Sequence, residues 1–306
     1  MRLVTFTPKT APTSAARAGA LLPGDESVLN FSVAVDASAD VPLGAWFDLD
    51  DEWLPKIRQI HDAVVKNAAR VETLPRGSVL PRGEVTIGPP IPRAGKIICI
   101  GLNYRDHAAE SNMPVPLSPV TFSKYVTSVT GPGKPIVLPP SSRQVDYEAE
   151  MAIVIGRRAK YVPIERAFEH VLGYMNFNDV SARDFQFADG QWQRGKACDT
   201  FAPIGPFILM RDLAGDPHAL RIRLLLNGQT MQDSSTAQLI FGVDHIVSFL
   251  SQTVTLEPGD VIATGTPPGV GFARKPPVFL KAGDVVEVEV EGLGVLSNPV
   301  VEDRGA

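Results

Sequence analysis

The stretch Val145-Asp146-Tyr147-Glu148-Ala149-Glu150-Met151-Ala152-Ile153-Val154-Ile155 constrains this chain more than any other. Its apolar second half is a buried strand, yet two glutamates one residue apart open it. Side chains alternate faces along a strand, so Glu148 and Glu150 share a face with Ala152 and Val154. That face is too apolar to be a solvated one. Two adjacent carboxylates on a semi-buried surface repel each other and lose hydration. They persist only if a positive group neutralises them or one stays protonated. A third carboxylate, Asp179, ends the short apolar stretch Tyr174-Met175-Asn176-Phe177-Asn178. Three carboxylates without a nearby His or Cys ligand pattern suit a hard divalent cation: Mg²⁺, Mn²⁺ or Ca²⁺.

The totals narrow the class of protein. At 306 residues, 44% hydrophobic and 21% charged, the chain can bury a large core and carry a smaller appendage. A net charge of −5 and the lack of a Lys/Arg run argue against nucleic acid or an anionic membrane as partner. The opening Met1-Arg2-Leu3-Val4-Thr5-Phe6 reads as a strand rather than a signal peptide, and no apolar run has bilayer length. Two cysteines are too few for a disulfide framework, so a cytoplasmic location is expected. Cys99, within Ile97-Ile98-Cys99-Ile100, reads as core.

Residues 1–90 read as a small N-terminal α+β domain and 91–306 as the larger catalytic one. The first part holds strands at its start and around Gly19-Ala20-Leu21-Leu22. The spacing of Trp53, Ile57, Ile60, Val64 and Ala68 predicts an amphipathic helix over 51–70. A Pro/Gly/Arg-rich stretch from Leu74 to Pro92 follows as a linker with a short strand inside it. Beyond Lys96 strands dominate. Asn227-Gly228 between apolar runs predicts a hairpin, and Glu257-Pro258-Gly259-Asp260 and Lys281-Ala282-Gly283-Asp284 are turns entering strands. Val285–Glu291 alternates, with its glutamates on a solvated face. Helices are expected near Ile164–Val171 and Val243–Gln252. The fold class is α+β, mainly β, closer to a sheet-based roll or sandwich than to alternating βαβ units.

Three further segments carry chemistry. After Ile100, Gly101-Leu102-Asn103 breaks the strand, and a short helix then places His107 and Glu110 three residues apart on one face. A carboxylate beside an imidazole orients it and raises its basicity, although a surface ion pair has the same spacing. Pro114, Pro116 and Pro119 follow, and the span 102–117 reads as a lid that orders on ligand binding. Arg183 lies close enough to Asp179 in sequence to reach what it binds, and Lys196 in a Gly-flanked segment suits an anionic intermediate or a structural ion pair. The loop Thr264-Gly265-Thr266-Pro267-Pro268-Gly269-Val270-Gly271 can turn backbone N–H groups toward an anion. It lacks the Gly-Lys-Ser/Thr ending of a phosphate loop, and no GxGxxG, Gly-x-Ser-x-Gly or His-Glu-x-x-His motif occurs.

In this order, Gly101-Leu102-Asn103-Tyr104, His107, Glu110, Asp146-Tyr147-Glu148-Ala149-Glu150, Asp179-Val180-Ser181-Ala182-Arg183-Asp184, Lys196, Asn227-Gly228 and Thr264-Gly265-Thr266-Pro267 resemble the fumarylacetoacetate hydrolase superfamily. The resemblance covers 96 to about 300. It implies a mixed β-sandwich roll, a homodimer and a small-molecule 2-oxo or diketo acid substrate. It also implies Mg²⁺, or Mn²⁺ or Ca²⁺, on Glu148, Glu150 and Asp179. His107, Glu110 and Lys196 become the catalytic candidates, and Arg183, Gln186 and Thr266 the substrate-binding ones. The activity expected first is hydrolysis of a C–C bond in an acylpyruvate-type 1,3-diketo acid, by water that the His107–Glu110 pair activates. Decarboxylation, hydration or isomerisation of a related 2-oxo acid is the alternative. A non-catalytic ion-binding protein is a third reading, but it needs neither the dyad nor Lys196.

Overall fold

The computed structural model describes residues 1–12, 15–35, 42–110, 114–188 and 190–303. Its spine is the strand Ala149–Ile155, every residue of which is buried. One edge pairs antiparallel with Val171–Asn178 and the other with Val261–Ala263. The faces lead to different cores. Met151, Ile153 and Ile155 point into one that includes Ile222, Leu224, Val286, Val288 and Leu296. Ala152 and Val154 join Phe31, Trp46, Phe47 and Ile57 in the other. A strand covered on both faces must be apolar throughout, as this one is past Glu150.

The sheet continues through Val261–Ala263, which runs parallel to Ile97–Gly101, and ends at Val120–Lys124. In the other direction Val171–Asn178 pairs with Ala202–Met210, which also takes Arg2–Pro8. The strands Arg17–Leu21, Ser27–Asn30 and Val79–Pro81 then extend the sheet outward from Arg2–Pro8. A second, five-stranded sheet packs across the first core. It contains Arg221–Leu226, Gln229–Ser235, Val285–Val290 and Val295–Glu302, closed by Ile136–Leu138. The architecture is α+β and mainly β, with mixed sheets stacked as a sandwich.

Local chemistry sets the turns. Asn227 and Gly228 both adopt positive φ, 53° and 79°, which the expected two-residue hairpin requires. The predicted helix over 51–70 is shorter: it spans Trp53–Lys66. Asn67 is extended, and its side-chain oxygen accepts the Ala69 N–H, starting a separate 3₁₀ turn over Ala68–Thr73. Ala68 is exposed and leaves the apolar stripe. The helix near 164–171 is likewise a 3₁₀ helix, Ile164–His170, whereas Val243–Thr253 is α-helical as expected. Cys99 is buried core, and neither cysteine is in a disulfide. Among the described residues no helix is long and apolar enough to cross a membrane.

Candidate functional site

Strand register brings the acidic residues together. Ala149 pairs with Asn178, so Glu148 and Asp179 leave the two strands side by side, and the Asp179 N–H donates to the Glu148 carbonyl at 2.9 Å. Asn178 braces the pair by accepting the Glu148 N–H. Carboxylate oxygens of Glu148, Glu150 and Asp179 lie within 4.8 Å of one another. The face is more buried than its sequence suggests, at 6%, 1% and 0% exposure.

Three cations meet this charge. Lys196, at the end of the short helix Gln193–Lys196, places Nζ 2.8 Å from Glu148 Oε2 and 2.9 Å from Asp179 Oδ2. Arg183 bridges Asp146 Oδ2 at 2.8 Å and Glu148 Oε1 at 2.7 Å. Lys124 Nζ sits 2.7 Å from Asp179 Oδ1 and donates to the carbonyls of Val180, Lys196 and Phe201. Four carboxylates, Asp146 included, therefore face three cations. Burial alone would raise the Glu148 pKa, but Lys196 and Arg183 prevail and hold it at about 2. Glu150 forms no salt bridge among the described residues. Burial, Asp179 and Glu148 push its pKa well up, against a 2.8 Å hydrogen bond from the Gly265 N–H. A buried carboxylate left one positive charge short, grouped with two others, fits a hard divalent ion.

The glycine-rich loop behaves differently from the expectation that it binds a ligand anion. Its N–H groups hold the protein's own carboxylates. Gly265 donates to Glu150, Gly269 to Glu110 at 3.1 Å, and Gly271 and Phe272 to Asp146 at 2.7 and 3.1 Å. A Cβ on Gly271 would lie 2.5 Å from Asp146 Oδ1. The Val278 carbonyl lies closer still, and the two together explain the glycine there.

The helix Arg105–Glu110 carries the dyad, with His107 Nδ1 and Glu110 Oε2 3.2 Å apart. Leu102 at φ 52° turns the chain off its strand, and the buried Asn103 side chain pins that turn to Phe241 and Thr264. The strands Ile97–Gly101 and Val261–Ala263 are parallel neighbours, so the loops after both leave the sheet at one end. That is why His107 meets the glycine loop. Residues 111–113 of the expected lid lie outside the described residues.

All nine candidates line one cavity of about 420 Å³: His107, Glu110, Glu148, Glu150, Asp179, Arg183, Gln186, Lys196 and Thr266. All three substrate-binding candidates are already engaged, Arg183 by Asp146 and Glu148. The Gln186 oxygen accepts from Arg183, and Thr266 donates to the Ala149 carbonyl while accepting from Gln232. Sequence reasoning missed Asp146, Lys124 and Gln232 as parts of the site. Asp146 was within reach, since it stands two residues before Glu148, as Glu148 does before Glu150. Lys124, a lone lysine in a half-polar strand, gave no comparable signal.

Residues 96–301 match the family described as fumarylacetoacetate (FAA) hydrolase C-terminal. The chain belongs to this family. Over 73% of its length and 72% of the relative's, it is 51% identical to the Bos taurus protein named "Oxaloacetate tautomerase FAHD2A, mitochondrial". A Dictyostelium discoideum protein named "Fumarylacetoacetate hydrolase domain-containing protein 2 homolog" is 43% identical over 98% of this chain and 97% of its own. The crystal structure of 5-carboxymethyl-2-hydroxymuconate delta-isomerase from Mycobacterium smegmatis covers 99% of this chain and 100% of its own, at 36% identity and a TM-score of 0.76. Such likeness extends over the N-terminal strands as well as the fumarylacetoacetate hydrolase C-terminal region.

Proposed function

We propose that this protein is an isomerase that interconverts the enol and keto forms of a 2-oxo acid. The observation that carries the reading is a carboxylate-oriented imidazole opening onto the same cavity as a buried carboxylate triad. The names of the bovine relative, a tautomerase, and of the mycobacterial structure, an isomerase, support this alternative above hydrolysis. A divalent ion on Glu148, Glu150 and Asp179 would supply Lewis-acid polarisation of the 2-oxo oxygen.

The chain's own residues do the rest. In ketonisation the enol O–H proton leaves, the C2–O bond becomes a carbonyl, the C2=C3 double bond becomes single, and C3 gains a proton. No atom is added overall and no water is consumed. His107 takes and returns a proton, with Glu110 fixing its tautomer through Nδ1. Burial works against the Lys196 ammonium, but Asp179 and Glu148 outweigh it and raise its pKa, and its charge offsets negative charge developing on oxygen. Arg183 and Gln186 orient the substrate carboxylate, and Thr266 borders it.

The test follows enol absorbance of oxaloacetate with Mg²⁺ present, alongside product analysis with an acylpyruvate. Accelerated ketonisation with intact acylpyruvate supports the reading. Cleavage of the acylpyruvate, with enol decay at its uncatalysed rate, returns hydrolysis to first place. Assembly as a homodimer belongs to the same proposal. Location in a reducing compartment suits the two unpaired thiols: the cytoplasm, or the mitochondrion carried in the bovine name.

A further inference from the structure

We propose that the favoured substrate carries an aryl or other bulky apolar group on C3 where oxaloacetate carries its second carboxylate. This deepens the enol–keto reading and rests on it. The first support is the placement of charge. The basic side chains lining the cavity are Lys196, Arg183 and His107. Lys196 is held between Glu148 and Asp179, Arg183 between Asp146 and Glu148, and His107 by Glu110. A substrate has one carboxylate to place beside the ion and these cations. A second would meet no further basic side chain among the described lining. A carboxylate dehydrated without a partner binds poorly.

What much of the remaining lining offers instead is aromatic surface, Phe122, Phe187, Trp192 and Phe272. Trp192 packs edge-on to Phe122 with ring centroids 5.5 Å apart, and Phe187 lies 5.8 Å from Phe272. Each pair has one anchored member. Gly101 seats the indole, since a Cβ there would come within 2.6 Å of it, and the Arg183 guanidinium sits 4.6 Å over the Phe272 ring. The walls are therefore pre-set rather than collapsed onto each other. Phe187 is 57% exposed, an apolar ring that a substrate ring would cover. The cavity's 420 Å³ falls within the ~300–1,000 Å³ typical of drug-sized ligands. A four-carbon diacid would leave those rings against water.

The experiment measures kcat/KM for ketonisation of phenylpyruvate enol and oxaloacetate enol by the Mg²⁺-supplemented full chain, with calorimetric binding of both acids. Burying a phenyl ring should favour phenylpyruvate by about tenfold or more. Phe187→Ala and Trp192→Leu should each cut that preference about fivefold. Phe187→Ala removes a largely exposed ring, so it keeps the test open if the tryptophan variant folds poorly. Preference for oxaloacetate, or a preference that neither variant changes, overturns the inference and leaves the isomerase reading standing. If neither enol is accelerated, the isomerase reading fails and binding alone decides. Tighter binding of phenylpyruvate then upholds the aromatic wall, and weaker binding overturns it.

Discussion

Lys196 and Glu150 show at the residue scale how one cluster contains opposite electrostatic problems. Lys196 is surrounded by charge it satisfies. Lys196→Met leaves Glu148 and Asp179 buried without their shared partner and should cost about 3–5 kcal/mol at pH 7, the usual penalty for breaking a buried pair. The wild-type stabilisation from Glu148 is present above its unfolded pKa near 4.5 and fades as pH falls toward about 2. Urea unfolding should therefore show the gap between variant and wild type narrowing on acidification. Glu150 behaves oppositely. Its folded pKa lies above the unfolded value, so the metal-free protein loses stability as pH rises from about 4.5 through that raised value. Glu150→Gln should flatten this slope and abolish the thermal stabilisation by Mn²⁺ that the wild type is expected to show. Retained Mn²⁺ stabilisation in the variant would exclude Glu150 as a ligand. The acidic triad was legible because carboxylates in an apolar strand have few explanations. Lys124 was not, because its role lies in reaching three backbone carbonyls, and a sequence does not show where a long side chain ends.

At the scale of elements, the glycine loop and the dyad helix act as one device. The Gly269 N–H donates to Glu110, which orients His107. Gly269 has φ +100°, and a Cβ there would lie 2.2 Å from the Met231 carbonyl. Gly269→Ala should therefore displace the loop and lower kcat with a much smaller change in metal affinity, measured by turnover and by Mn²⁺ titration. His107→Ala should cost about 10²–10⁴ in turnover, the usual worth of a general base, while leaving oxalate binding nearly intact. Full turnover in His107→Ala would reduce the dyad to an ion pair. The helix, the loop and their glycines could be read from the sequence, but not which acceptors the N–H groups face. Glycine spacing advertises accessible donors, and the acceptors come from segments 115 to 159 residues away in the chain. Asp106 illustrates the same limit: its carboxylate accepts from Ser234 at 2.6 Å, joining the helix to a hairpin no local pattern connects to it.

At the scale of the whole molecule, the strands of the first 90 residues continue the sheet that carries the site. Arg2 and Leu3 pair with Leu209 and Ile208 of Ala202–Met210, whose other edge pairs with Val171–Asn178. Side-chain patterns reveal that a strand has a buried face but not which strand shares its backbone hydrogen bonds, so this continuity was invisible in the sequence. Ile204 and Ile208 pack into a core shared with Leu3, Phe31 and Trp46. A chain starting at residue 91 should expose that apolar surface and an open sheet edge, and should aggregate rather than fold as a monomer. Size-exclusion chromatography of the truncated chain checks this, and a monodisperse, metal-binding product would show that the catalytic region is autonomous.

The parallel pairing of Ile97–Gly101 with Val261–Ala263 also dictates when the cleft can exist. Its partners are more than 160 residues apart, so closing that loop is among the costliest ordering steps the chain undergoes. Contacts of such range consolidate late, after the local hairpins. A cation bound at the carboxylate triad would then stabilise the native state without assisting the climb to it. Saturating Mg²⁺ should slow unfolding in stopped-flow experiments while the refolding rate stays unchanged. An ion-accelerated refolding limb would instead mean that the carboxylate cradle forms early and guides the search.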